Sequence, residues 1–193
     1  MVFSLIWSHA CARAVTDVPR NVPDSILRRV PQNGGVVMIT FVPGFLSQKV
    51  VDHAALRQAR LSQVRTQFGA DSAGAAAAMA TWDREHPPVK ATIQDVADHI
   101  EHVRKVAGVN HVGIGSDFDG VDDLPVGLED VSKYPSLFAE LSRRGWSEGD
   151  LRKLAGENIL RVLTQAERVA AKLQKERKPS IRTIQELDGR TRM

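Results

Sequence analysis

The sequence has little cysteine and no long apolar run. Cys11 is the single cysteine among 193 residues, so no disulfide can form within the chain and no oxidising compartment is indicated. The apolar stretch that ends at Trp7 has no basic segment before it, and we expect it to be neither a signal peptide nor a membrane span. No later stretch is long enough to cross a bilayer, which favours a soluble protein whose localisation stays unassigned.

Excess positive charge is absent from the body of the chain. Between residues 164 and 193, eight lysines and arginines stand against four acids, whereas the remainder carries 18 basic and 19 acidic residues. The net charge of +3 therefore describes the tail. Such a tail is more often a solvated helix end followed by a flexible terminus, so nucleic acid is not expected to be a partner.

Common nucleotide- and calcium-binding motifs are missing as well. Residues 113–115 (GIG) lack the third glycine of a dinucleotide-binding fingerprint, and no Walker sequence occurs. The acidic segment at residues 117–123 has its glycine too early for an EF-hand loop. These absences turn attention to the strand and helix pattern.

Three short apolar runs predict the strands of one α/β domain. They cover Val2 to Trp7, residues 35–41 and residues 111–117. Each run is continuously apolar or small, which is typical of strands covered on both faces of a parallel sheet. Helical patterns separate the runs, and right-handed crossovers would make the strands parallel. The 42% hydrophobic content suffices for one such core.

Helices are predicted between and after these runs. The clearest spans Thr92 to Ala107, because Thr92 and Asp95 cap its start and Gly108 ends it. Other predicted helices are a short one from Pro23 to Asn33, an alanine-rich one over 74–82, one over 134–143, and one from Ser147 to about Lys172 with Leu151, Leu154, Leu160 and Leu163 facing inward. The alanine-rich helix lies in an insertion, which is either a lid beside a binding site or a helical pair packed on the surface.

Three parallel strands make an incomplete sheet. Both outer strands would leave open edges with apolar side chains on two faces. Two explanations stay open on the pattern alone: another chain supplies the neighbouring strands, or the sequence is part of a larger barrel.

Polar residues at the predicted strand ends are the candidates for chemistry, since β/α folds place reactive groups there. His9 ends the first run, although a lone histidine is more often structural than a metal ligand. Asp117 and Asp119 follow the third run. One interpretation is functional, as a general acid or base, a metal site or a substrate contact. The other is structural, as an Asx-type turn, and the sequence supports both equally. Arg20, in a loop between two prolines, suits a two-pronged contact to a carboxylate, but a solvent-facing arginine is the safer interpretation.

The other histidines and the cysteine are interpreted as structural or solvated. His99 and His102 lie three positions apart on the capped helix, and the apolar stripe indicates that they face different surroundings. Cys11 is expected to be a buried, inert thiol. His53 and His86 of the insertion are also assigned no ligand role.

Four long blocks follow one another in the chain: WSHACARAVTDVPRNVPD, NGGVVMITFVPGF, VADHIEHVRKVAGVNHVGIGSDFDG and GLEDVSKYPSLFAELSRRGWSEGDLRKLAGENILRVL. Taken in this order, they resemble the membrane dipeptidase family, also called renal dipeptidase. The resemblance runs from about residue 3 to about residue 168. It implies a partial TIM-type (β/α)8 barrel made of the last three β/α units, with a helical insertion over about 46–88 of a form seen in bacterial members. Residues 169–193 are then expected to be a basic, flexible tail, and the chain is expected to be truncated.

The resemblance also implies roles for individual residues. His9, in Ser8-His9-Ala10, would be one ligand of one ion in a zinc pair. Arg20 matches the arginine that holds the terminal carboxylate of the dipeptide, and Asp117 matches the aspartate that assists proton transfer. Phe45 stands where animal members have a tyrosine beside the substrate, so a hydroxyl contact is lost there. Asp119 is kept as a substrate contact.

The activity implied is zinc-dependent hydrolysis of dipeptides, expected to be crippled in this chain. No His-x-Asp occurs in the sequence, and the remaining zinc ligands of the family have no counterpart. The alternative is a non-catalytic chain that docks on a partner supplying the missing half of the barrel. The expected partners are thus a dipeptide substrate and either a second copy or a complementing amino-terminal half.

Overall fold

A three-stranded parallel sheet forms the centre of the computed structural model, which describes residues 4–188. The strands are β1 (Ile6–Ala10), β2 (Val36–Thr40) and β3 (Val112–Ser116), in the order β1-β2-β3. The prediction of an α/β fold with a parallel sheet is confirmed. The central strand β2 is the most buried, as the apolar pattern requires.

The first strand lies further along the chain than predicted. Its pairing with β2 runs from Ile6 opposite Val36 to Ala10 opposite Ile39. His9 therefore lies within the strand and not beyond its end. Val2 and Phe3, which opened the predicted strand, lie outside the described residues. Backbone pairing with β2, and not the apolar run alone, sets these bounds.

Ten α-helices are described in residues 4–188, most of them around the sheet. They are α1 (Asp24–Leu27), α2 (Val30–Asn33), α3 (Pro43–Leu46), α4 (Gln48–Phe68), α5 (Ser72–Glu85), α6 (Ile93–Ala107), α7 (Tyr134–Arg143), α8 (Glu148–Arg152), α9 (Asn158–Glu176) and α10 (Ile184–Leu187). Across this part of the chain, none of them has the length and hydropathy that crossing a bilayer requires. The helix predicted from Thr92 is confirmed, including its capping box between Thr92 and Asp95.

The carboxyl-terminal helix differs from the prediction. A π-helical turn at Lys153–Glu157 separates α8 from α9. Such a turn inserts an extra residue and rotates the face that follows. Leu154 is buried as predicted, but Leu160 and Leu163 are 61% and 47% exposed, so their predicted inward orientation was wrong. Val162 and Asn158 face the core instead.

The insertion after β2 is a helical pair, α4 and α5. This matches the helical-pair alternative from the sequence: the predicted alanine-rich helix extends over Ser72–Glu85, and the longer α4 before it, whose bounds were not predicted, is the second helix. A two-pronged ion pair between Arg57 and Asp83 joins the two helices at 2.7 and 2.8 Å. Most side chains of the pair are exposed, so its apolar pattern was too weak to reveal α4 from the sequence.

Candidate active site

The carboxyl edge of the sheet brings His9 towards the end of β3. The β1–β2 register is irregular between Trp7 and Ala10, which displaces the segment that carries His9. Gly115 of β3 makes room for it: a Cβ on Gly115 would lie 2.1 Å from the Ser8 carbonyl oxygen and 3.1 Å from that of Met38. Only glycine allows the backbone of β1 to approach β3 this closely.

The turn after β3 has a strained backbone. Ser116 and Asp117 have φ angles of 44° and 84°, in the left-handed region that residues with a Cβ rarely adopt. The Ser116 carbonyl oxygen accepts hydrogen bonds from the Phe41 amide (2.6 Å) and from Thr40 Oγ1 (3.1 Å). The Ser116 hydroxyl also bonds to the Tyr134 hydroxyl. Strain held by several contacts is characteristic of functional sites.

This turn directs the Asp117 carboxylate towards His9. Asp117 Oδ1 lies 4.0 Å from His9 Nε2, and the two side chains are 33% and 42% exposed. His9 Nδ1 is 2.9 Å from Ser8 Oγ. Gly120 closes the turn through its amide, and a Cβ there would lie 2.2 Å from Asp117 Oδ1. The pair is open to solvent and therefore to a substrate.

A second pair lies in the segments that follow β1 and β2, with Arg20 in the loop after β1 and Phe45 in helix α3. The Arg20 guanidinium lies over the Phe45 ring, 6.0 Å from its centroid. Within residues 4–188, no carboxylate is found in an ion pair with Arg20. An exposed, planar guanidinium of this kind is suited to a carboxylate supplied by a ligand.

Buried polar side chains lie beneath this second pair. His99 is fully buried; its Nδ1 accepts the Ala12 amide at 3.0 Å and its Nε2 donates to the Leu46 carbonyl at 2.9 Å. Burial lowers the pKa of His99 to about 4, so the ring is neutral near pH 7. Thr16 and Asn21 complete the cluster and are 0% and 1% exposed. Neither was singled out from the sequence, since neither lies in a recognisable motif.

The other candidates from the sequence fall outside these two pairs. Asp119 lies on the exposed side of the turn after β3. Cys11 is fully buried, and desolvation raises the pKa of its thiol to about 12, which confirms the inert thiol. His102 faces a different environment from His99, as expected, and lies 2.7 Å from Asp24. Across residues 4–188, no group of three or more His, Cys, Asp or Glu side chains is arranged to hold a metal ion.

Most of the chain matches known proteins of one family. The family model described as membrane dipeptidase (peptidase family M19) matches residues 3–177. An uncharacterized dipeptidase of Schizosaccharomyces pombe is 40% identical over 157 residues, which are 81% of this chain and 29% of that protein. The chain thus spans under a third of the length of this curated relative.

Two solved structures are similar in fold and in sequence. The probable dipeptidase from Pseudomonas aeruginosa has a TM-score of 0.63 and 27% identity, covering 82% of this chain and 44% of that one. A metallo peptidase from Rhodobacter sphaeroides, liganded with a phosphinate mimic of the dipeptide L-Ala-D-Ala, has a TM-score of 0.60 and 27% identity, covering 83% and 36%. Both similarities cover more than four-fifths of this chain but less than half of either solved chain.

Proposed function

Since this chain belongs to the membrane dipeptidase family, we propose that it contributes recognition and proton-transfer groups to an active site that hydrolyses dipeptides. The observation that supports this most is the His9–Asp117 pair at the carboxyl edge of the sheet. In this proposal, residues 1–168 are the last three units of a (β/α)8 barrel. The insertion over 46–88 flanks the site, and residues 169–193 form a basic tail.

Arg20 recognises the carboxylate of the dipeptide. Its guanidinium offers two parallel N–H donors, which match the two oxygens of a carboxylate. The Phe45 ring beneath it limits the orientations that the guanidinium can adopt. A binding group at a fixed distance from the reacting bond selects short peptides, because a longer peptide places its carboxylate elsewhere.

Asp117 handles the proton that reaches the leaving amine, and His9 is a metal ligand beside it. A carboxylate at a strand end is a common general acid or base. The φ angle of 84° at Asp117 supports this assignment, because strain there is retained against a cost in stability. Asp119, on the exposed rim, is a further substrate contact in this proposal.

The donor set for zinc is incomplete on this chain. A catalytic zinc ion needs about three protein ligands, and the family resemblance implies a pair of ions. His9 is the single proposed ligand, and within residues 4–188 no group of three or more His, Cys, Asp or Glu side chains is arranged around a metal ion. Residues 1–3 and 189–193 contain no His, Cys, Asp or Glu. We therefore assign the remaining ligands to residues outside this sequence. Zinc-supplemented, purified chain should show no turnover of Gly-D-Ala, and robust turnover would contradict this assignment.

Binding of a dipeptide with and without its carboxylate tests the proposed function. Titrating Gly-D-Ala and Gly-D-Ala amide against the isotope-labelled chain by NMR should show tighter binding of the free carboxylate, by up to about tenfold. The preference should disappear in Arg20→Gln and persist in Arg29→Gln, an exposed arginine away from the proposed site. Equal affinities of the unmodified chain for both peptides would overturn the proposal.

A second candidate function is docking onto further β/α units. Leu5 and Ile6 are 51% and 39% exposed beside the open edge of β1, where an added parallel strand would cover them. The proposed occupant is a complementing amino-terminal half of the same fold. Mixing this chain with such a half from a homologue should give a stoichiometric complex on size exclusion. A chain that stays a compact monomer in the mixture would contradict docking, and self-association would indicate a homodimer instead.

A further inference from the structure

The buried polar cluster below Arg20 carries an inference that rests on the proposed function. We propose that His99, Thr16 and Asn21 are positioning residues, which fix the Arg20 guanidinium over Phe45 for recognition of the substrate carboxylate. None of the three touches the substrate. They act through the backbone of the loop that carries Arg20 and of helix α3, which carries Phe45.

Asn21 joins this loop and helix α3 directly. It follows Arg20 in the chain, and its buried side-chain amide donates to the Thr16 carbonyl at 2.9 Å and to the Phe45 carbonyl at 2.8 Å. One side chain therefore links the backbone next to Arg20 with the backbone of Phe45. A shift of either segment would leave a buried N–H donor without a partner, which costs about 1–3 kcal/mol.

Thr16 and His99 hold the same loop and helix α3 at positions deeper in the core than Asn21's contacts. The Leu46 carbonyl, next to Phe45, accepts from Thr16 Oγ1 and from His99 Nε2, each at 2.9 Å. His99 Nδ1 accepts the Ala12 amide from the base of the first loop. Helix α6 thus joins the loop after β1 to helix α3, and all of these side chains are fully buried.

The loop has no strand or helix of its own to set this distance. Arg13 holds its interior through bonds from Nε to the carbonyls of Val18 and Asn21, but these bonds stay within the loop. Docking on α3 then depends on the directional bonds of the buried cluster, beside one exposed bond from the Asp17 amide to Gln48 Oε1 at 2.9 Å. Apolar packing alone is non-directional and would allow the loop to slide.

The test uses the carboxylate preference of the full chain in matched variants. Thr16→Val keeps the shape and removes the hydroxyl, and we expect it to reduce the preference for Gly-D-Ala over its amide several-fold. Thr16→Ser keeps the hydroxyl and should restore it. His99→Asn should also reduce the preference, whereas His102→Asn on the same helix should not. Circular dichroism establishes which variants fold. If His99→Asn does not fold, the result for Thr16→Val tests the positioning role.

A second readout does not depend on dipeptide binding. The ring of Phe45 should shift the NMR signals of the Arg20 side chain, and this shift should be lost in Thr16→Val and regained in Thr16→Ser. A folded Thr16→Val variant with an unchanged shift and an unchanged preference would overturn the positioning role. If the shift responds as expected while the unmodified chain shows no carboxylate preference, the loop and helix α3 are positioned as inferred and the proposed function fails.

Discussion

His9 Nε2 lies 4.0 Å from Asp117 Oδ1, although one side chain comes from β1 and the other from the turn after β3. The intervening strand β2 would normally keep such residues two strand spacings apart, roughly 10 Å. The irregular register of β1 and the bare backbone of Gly115 shorten that separation. The site therefore depends on backbone geometry as much as on its polar side chains.

Gly115→Ala should destabilise the fold and separate this pair. The added methyl would meet the Ser8 carbonyl oxygen at 2.1 Å, and backbone on both sides leaves no flexible neighbour to yield. We expect a loss of about 1–3 kcal/mol in the free energy of unfolding, measured by urea denaturation. Gly44→Ala is the control, because a Cβ there meets nothing within 4 Å. Equal stabilities of the two variants would contradict the close approach of β1 and β3.

At position 117, a glycine variant should be more stable than an alanine variant, which is the reverse of the usual order. At φ 84° a Cβ is strained, so Asp117→Gly should be more stable than Asp117→Ala by about 1 kcal/mol. At Asp119, which is not among the residues with a positive φ, Asp119→Gly should be the less stable of the two by about 0.5 kcal/mol. Thermal or urea unfolding of the four variants checks this. If Asp117→Gly were less stable than Asp117→Ala, as expected at position 119, the backbone at Asp117 would be unstrained.

Stability should fall as the pH is lowered through the range where His99 would become protonated. Burial lowers its pKa in the folded chain from 6.5 to about 4, so the unfolded state binds more protons between these values. The stabilisation is complete above pH 6.5 and decreases towards pH 4, by on the order of 3 kcal/mol. The nearby carboxylates of Asp98 and Asp95 raise the pKa of His99, but by less than burial lowers it.

Comparison with a variant isolates this contribution from that of the carboxylates. Urea midpoints of the unmodified chain and of His99→Gln should converge as the pH falls from 7 to 4, because only the former loses the histidine contribution. Gln58→Ala, at an exposed position of α4 without a titratable group, serves as the control and should keep the pH dependence of the unmodified chain. Parallel curves for the unmodified chain and His99→Gln would rule out a buried neutral ring.

Cys11 should resist thiol reagents until the chain unfolds. The pKa of its thiol is raised from 9.0 to about 12, which reduces the thiolate fraction about a thousandfold, and the sulfur is fully buried besides. Labelling with an aromatic disulfide should be slow in buffer and rapid in urea. Ser62→Cys in a Cys11→Ala background gives an exposed thiol on α4 that should react in both conditions. Rapid labelling of native Cys11 would contradict its burial.

The sequence predicted the elements whose signals are local. Thr92, Asp95 and the apolar stripe define α6 without reference to the rest of the chain. The π-helical turn before α9 could not be predicted this way, because the leucine spacing continues through it. Its register is favoured by a distant contact, in which the Asn158 amide donates to the carbonyls of Val109 and Val112 at 2.8 Å.

The residues of the candidate site also differ in whether the sequence could predict them. His9, Arg20 and Asp117 could be proposed from the sequence because reactive groups collect at strand ends and because the surrounding blocks resemble a known family. Thr16 and Asn21 were not, since their partners are backbone carbonyls brought near only by the tertiary fold. The shift of His9 into β1 also followed from pairing with β2, which the apolar run does not encode.

We propose that His9, Arg20 and Asp117 face one dipeptide-binding site at the carboxyl edge of the sheet. The backbone NMR shifts caused by Gly-D-Ala report on this site residue by residue. We expect these shifts to concentrate at residues 8–10, 20–21, 45 and 117–120. Shifts concentrated at the groove beside Leu5 and Val30, or no saturable shifts at any residue, would contradict it.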